Sequence, residues 1–135
     1  MCDAKVLADV RGDLANRTGE LGAIGCDLFE RMFKRAGVQD MFPTYKGKAV
    51  DSIKSEITAH GEKVVKLLVD FVTNADKAEL STMVADFIAL HKKHNIPHKA
   101  LADSQGDIVA TLGKFGMNNA SWGPFLDFFF NAVKF

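Results

Sequence analysis

Four histidines carry most of the chemistry available to this chain: His60, His91, His94 and His98. An imidazole can ligate a metal, move a proton or donate a hydrogen bond near neutral pH. In "LHKKHNIPH", His91, His94 and His98 recur at intervals of three and four, which stacks side chains on one helix face. Pro97 interrupts that helix between the second and third. No carboxylate or cysteine is placed to complete a four-ligand zinc site, and there is no H-E-x-x-H pattern. Nucleophile-elbow and glycine-rich phosphate-loop patterns are also missing.

The fourth histidine stands in "SEITAHGEKVVKLLVDFV" (55–72), where Ile57, Val64, Leu68 and Phe71 recur at helical spacing. His60 falls on that apolar face, and Gly61 beside it costs a helix interior about 1 kcal/mol relative to alanine. In the later segment, Val84, Phe87 and Ile88 define an inward face on which His91 also lies. A single core histidine is ordinary. Two on separate helices are harder to dismiss, because each buried ring leaves a nitrogen that needs a partner. A large planar cofactor between two helices, ligated by one histidine, accounts for both imidazoles and for a surplus of phenylalanine.

The elements that must position these rings are all helical. Asp3 caps a first helix carrying Leu7, Val10 and Leu14. A second spans about 20–36, with Ile24, Leu28 and Phe33 inward and Gly37 as terminator. The irregular stretch "VQDMFPTYKGK" places Phe42 and Tyr45 on either side of Pro43. Further helices are predicted over about 50–73, 80–94, 98–115 and 121–134, the fourth of these opening near Ser121. No segment alternates apolar and polar residues over a useful length, so the expectation is a single all-α domain over residues 1–135.

Composition narrows the function classes. Lys plus Arg and Asp plus Glu both number 17, so no net field draws the chain to nucleic acid or to an anionic membrane. Hydrophobic residues at 47% and charged residues at 25% are those of a globular protein, and no uncharged run approaches the length of a membrane span. The stretch "MCDAKVLADVRGD" is too charged for a secretory signal. Cys2 and Cys26 form no disulfide framework, which suits a reducing cytoplasmic setting, and Cys26 reads as a core residue. Eleven phenylalanines against one tyrosine and one tryptophan imply an interior that favours flat, wholly apolar rings.

Landmarks in this order resemble the globin family. "DLFERMFKR" (27–35) is similar to the second globin helix, and "MFPTY" (41–45) to the corner whose phenylalanine stacks on haem. "AHGEKVV" (59–65) is similar to the distal histidine segment, and "LHKKHNIP" (90–97) to the proximal histidine and the corner after it. The resemblance covers about 20–134 and implies a globin fold of six to eight helices around haem b, iron protoporphyrin IX. It makes His91 the axial iron ligand and His60 the distal residue over the sixth coordination position. Phe29 and Val64 then line the ligand pocket with Phe42, which packs on the porphyrin. Tyr45, Phe87, Leu90 and Ile96 join the cofactor contacts, and His94 and Lys63 are candidates for the haem propionates. Gly61 is expected where this helix crosses the second one, with Gly25 opposite.

The implied function is reversible binding of dioxygen at ferrous iron for storage or transport, with carbon monoxide and nitric oxide as further ligands. Alternatives are a bis-histidyl redox or gas-sensing globin, or a haem enzyme acting on nitric oxide or peroxide. A dedicated peroxidase polarises its proximal histidine with a carboxylate and places a distal arginine, and neither pattern is present; Asp86 falls on another face of the helix. Outside haem chemistry, an all-α interaction module with merely packed histidines is the rival. The chain departs from the vertebrate pattern at Ala36-Gly37, where a proline is usual, and in the spacing from His60 to His91 and from His91 to Pro97. These features fit a short, divergent animal globin, with monomer and homo-oligomer both open.

Overall fold

The computed structural model describes residues 2–135; Met1, the first residue of the charged amino-terminal stretch, lies outside them. Among the described residues seven α-helices follow one another: α1 (Ala4–Leu14), α2 (Leu21–Phe33), α3 (Lys54–Asn74), α4 (Leu80–Lys93), α5 (His98–Asp103), α6 (Gln105–Lys114) and α7 (Trp122–Ala132). The described residues contain no strand. Asp3 caps α1 as its position implies, Oδ1 accepting from the backbone N–H of Lys5 and Val6 at 2.9 and 3.1 Å.

Helix ends account for the differences from the sequence reading. Helix α2 stops at Phe33, short of the expected Ala36, because Lys34 and Arg35 donate three residues back, to Arg31 and Met32, and tighten the last turn. The segment expected as one helix over 98–115 is two. Ser104 donates through both its backbone N–H and its Oγ to the Leu101 carbonyl, at 3.0 and 2.5 Å, which closes α5. Ile108 then donates to the Ser104 carbonyl at 3.0 Å as α6 begins. Helix α4 ends where Asn95 takes φ 57°, and the Ile96 N–H folds back to the His91 carbonyl at 2.9 Å.

The main core gathers Leu7 and Val10 of α1, Phe71 and Val72 of α3, Leu112 of α6, and Trp122, Phe125, Leu126 and Phe129 of α7. Hydrogen bonds at its margin tie α1 to α7: Trp122 Nε1 donates to Asp13 Oδ2 at 2.8 Å and Ser121 Oγ to Asp9 Oδ2 at 2.7 Å. A smaller cluster holds Phe29, Tyr45, Ile53 and Ile57, with Cys26, Phe33 and Phe42 packed against it. Cys26 is half-buried at its edge, its thiol 3.2 Å from Glu30 Oε1, so it is a border residue rather than the full core residue expected.

Gly25 and Gly61 meet at the crossing of α2 and α3. A Cβ added to either would overlap the backbone of the other. This contact sets the rotation of α3. The line facing α2 is Ile57, Gly61 and Val65, with Val65 only 2% exposed, whereas Val64 is 36% exposed. The expected stripe through Val64 is therefore displaced by one residue. His60 and Val64 lie along its border, and the core line runs through Gly61 and Val65. Asp27 fastens α2 from its other side, accepting from Arg31 Nε, Thr111 Oγ1 and Lys114 Nζ at 2.7, 2.8 and 2.9 Å. Substituting Gly61→Ala should lower stability to denaturant by roughly 2–4 kcal/mol, because two helix backbones must separate. A loss below about 1 kcal/mol in urea unfolding would mean the crossing relaxes freely.

Candidate functional site

Between the second cluster and α4 lies a cavity of about 550 Å³, the size of a cofactor site. Its lining is predominantly apolar, with side chains from α2, the 38–45 loop and each of the helices α3 to α7. Phe29, Phe42, Tyr45, His60, Lys63, Val64, Phe87, Leu90, His91, His94 and Ile96 all border this one space. Leu101 and Ile108, from the segment predicted as helix over 98–115, and Phe129 of α7 also line it, though the sequence reading assigned none of them to the site. Their signal was membership of the predicted 98–115 and 121–134 helices and, for Phe129, the phenylalanine surplus. It could not distinguish a pocket wall from a core.

His91 projects from α4 and is half-buried. Its Nδ1 lies 2.7 Å from the Phe87 carbonyl one turn earlier. A carbonyl only accepts, so Nδ1 carries the proton and donates, and Nε2 is left with its lone pair. Phe87 also stacks against the ring, with centroids 4.1 Å apart at 32°. Burial lowers the His91 pKa, opposed by the Phe87 carbonyl and aided by nearby His94. The ring is thus a neutral imidazole, oriented by its own helix, with one free donor pair. That is the form in which histidine ligates a metal.

His60 enters from α3 into a nest of rings. Its centroid lies 4.8 Å from Phe29, 5.9 Å from Tyr45 and 6.0 Å from Phe42. The Tyr45 hydroxyl is 3.1 Å from His60 Nδ1. Burial lowers the His60 pKa, and the Lys63 ammonium lowers it further. Burial and then Glu56 push the Tyr45 phenol up, so it stays protonated. The loop carrying these rings is pinned by Gln39, whose Nε2 donates to the carbonyls of Tyr45 and Lys48 at 2.9 and 2.7 Å.

The histidine triplet of the α4 corner separates in space. His91 is half-buried in the cavity wall, His94 is exposed at the rim as the cap of α4, and His98 turns away, with Nε2 3.3 Å from the Phe130 carbonyl. Among the described residues no three His, Cys, Asp or Glu side chains are grouped to hold a metal ion. The arrangement instead offers one unpaired imidazole nitrogen, a second imidazole from another helix, and aromatic and aliphatic walls. A flat, largely apolar group ligated from one side fits this donor set, and Lys63 and His94 stand at the cavity rim. Exposed Asp86 faces away from His91 on the same helix, as its spacing implied.

Comparison with known proteins agrees with this geometry. Residues 26–133 match the family model described as Globin. Globin-1 of Liolophura japonica is 37% identical over 78 residues, covering 56% of this chain. The match spans 52% of that relative, so about half of its length is represented. Among solved structures, a double mutant of myoglobin from Aplysia limacina superposes with a TM-score of 0.77 at 20% identity, over 98% of this chain and 94% of that one. The superposition carries the fold, and the family model spans most of the chain, including both inward histidines. By its fold and by that match, the chain belongs to the globin family, whose members are haem proteins.

Proposed function

We propose that the protein binds dioxygen reversibly at ferrous haem b, as an oxygen store or carrier rather than an enzyme. The observation that carries this reading is His91 Nδ1 held by the Phe87 carbonyl at 2.7 Å, which leaves Nε2 free in the wall of an apolar cavity that also contains His60. Haem, when bound, supplies an iron centre that takes up a diatomic gas in the ferrous state.

The chain's own residues supply the rest. His91 would hold the iron, its neutral, backbone-anchored ring giving a fixed point of attachment. Phe42, Tyr45, Phe87, Leu90 and Ile96 would line the macrocycle. Lys63 and His94, at the rim, would take its propionates. Phe29, Phe42 and Val64 keep the ligand space dry, which slows the proton delivery that drives oxidation to the ferric state. His60 offers an N–H to the gas. A hydrogen bond to a partly negative partner is worth about 1–3 kcal/mol, which is roughly one to two orders of magnitude in affinity. Carbon monoxide acquires less negative charge and gains less, so one residue discriminates between gases; nitric oxide is a third ligand of the same site. The free thiols of Cys2 and Cys26 suit a reducing, cytoplasmic compartment.

The absorption spectrum of the ferrous protein without oxygen tests the reading. One broad visible band is expected, with the sixth position open. Two sharp bands would place His60 on the iron and favour the redox or sensing role. Replacing His60→Leu should raise the dioxygen dissociation rate about 10- to 100-fold and speed autoxidation in stopped-flow measurements. An unchanged rate would remove His60 as the donor. For His91→Gly, the purified protein should fail to retain haem until imidazole is added. Retention without imidazole would assign the axial position to another residue.

A further inference from the structure

The hydrogen bond between Tyr45 and His60 has a direction, and that direction decides what His60 can do. A phenol has one proton to give. Two acceptors lie within reach of the Tyr45 hydroxyl: His60 Nδ1 at 3.1 Å and the Glu56 carbonyl at 3.5 Å. That carbonyl already accepts the His60 backbone N–H within α3, four residues on. A separation of 3.5 Å is also well beyond the usual O–H···O distance of about 2.7–2.8 Å. The proton therefore goes to Nδ1. An imidazole that accepts at Nδ1 carries its own proton on Nε2.

The opposite arrangement, with Nδ1 donating to the phenol oxygen, would leave the phenol proton only the distant carbonyl. No other side-chain hydrogen bond to His60 is formed among the described residues. Tyr45 is itself a fixed reference. It is 6% exposed, its ring packs 6.0 Å from both Phe33 and Phe42, and its backbone N–H donates to the Phe42 carbonyl at 2.8 Å.

We propose that Tyr45 is a positioning residue that holds His60 in the Nε2–H tautomer, making it a hydrogen-bond donor to the gas and not a second ligand to iron. This rests on the oxygen-binding reading above. An Nε2 that carries a proton has no lone pair for a metal, so Tyr45 sets the choice between an open sixth position and a bis-histidyl one.

Long-range proton–nitrogen NMR of the full chain reads the tautomer directly. It is recorded for the wild type and Tyr45→Phe, each without haem and as the diamagnetic carbon-monoxide-saturated ferrous protein. The expected result is a protonated Nε2 in the wild type and a downfield displacement of the His60 Nδ1 resonance in Tyr45→Phe, with His91 signals unmoved. The phenylalanine variant keeps the ring and its packing. A protonated Nδ1 in the wild type, or an Nδ1 resonance indifferent to the substitution, would overturn the proposal.

Dioxygen dissociation gives the second readout. Tyr45→Phe should accelerate it about two- to fivefold, the loss expected when a neutral hydrogen bond anchoring the donor is removed. Added to His60→Leu, the same substitution should change nothing, since it keeps the ring in the cavity wall and removes only the hydroxyl, which acts through His60. A further acceleration in the double variant would refute that route. A wild-type rate in His60→Leu alone would instead defeat the donor role proposed for His60, and the nitrogen spectra would still decide the Tyr45 bond.

Discussion

The close crossing of α2 and α3 at Gly25 and Gly61 is the constraint from which the rest of the structure follows. With no side chain on either residue, the two backbones touch, and neither helix can rotate without a clash. That fixes the face each helix gives to the interior. Ile57, Gly61 and Val65 go to the α2 contact, while His60 and Val64 are left on the adjoining border, where the cavity opens. The same approach brings the ring of Phe29 to 4.8 Å from His60. The propensity cost of a mid-helix glycine, about 1 kcal/mol, is small against what the crossing positions.

In the proposed function the two inward imidazoles face opposite demands, and each is answered by the chemistry of one neighbour. His91 would present a lone pair, and its other nitrogen has an obligate acceptor, the Phe87 carbonyl. His60 would present an N–H, and its other nitrogen has the Tyr45 phenol beside it as a donor. Burial lowers the pKa of each ring and so favours its neutral form. A neutral imidazole is the only form with one donor and one acceptor, and so the only form in which a neighbour can choose which is which.

These neighbours are held by devices of different range. Phe87 lies one turn before His91 on α4, so that orientation is local and needs only an intact helix. Tyr45 belongs to a loop, and its place depends on Gln39 clamping two carbonyls and on aromatic packing against Phe33 and Phe42. The His91 side is thus ordered by secondary structure, and the His60 side by tertiary packing.

The helical class, the inward placement of His60 and His91, and the pairing of Gly25 with Gly61 were legible in the sequence, because they rest on helical periodicity and on residues too costly to be accidental. The globin landmarks in "MFPTY", "AHGEKVV" and "LHKKHNIP" came from the same one-dimensional order. Tertiary structure decided what periodicity cannot resolve. A helix stripe is wide enough to admit Val64 or Val65, and only the glycine contact put Val65 in the core at 2% exposure and Val64 beside the cavity. The break at Ser104 arose from a side chain competing for the Leu101 carbonyl, a choice that helix propensity leaves open. The tautomers depended on distances of 2.7 and 3.1 Å between atoms that are, for Tyr45 and His60, far apart in the chain. Periodicity names a face; the direction of a hydrogen bond exists only once two groups have been brought together.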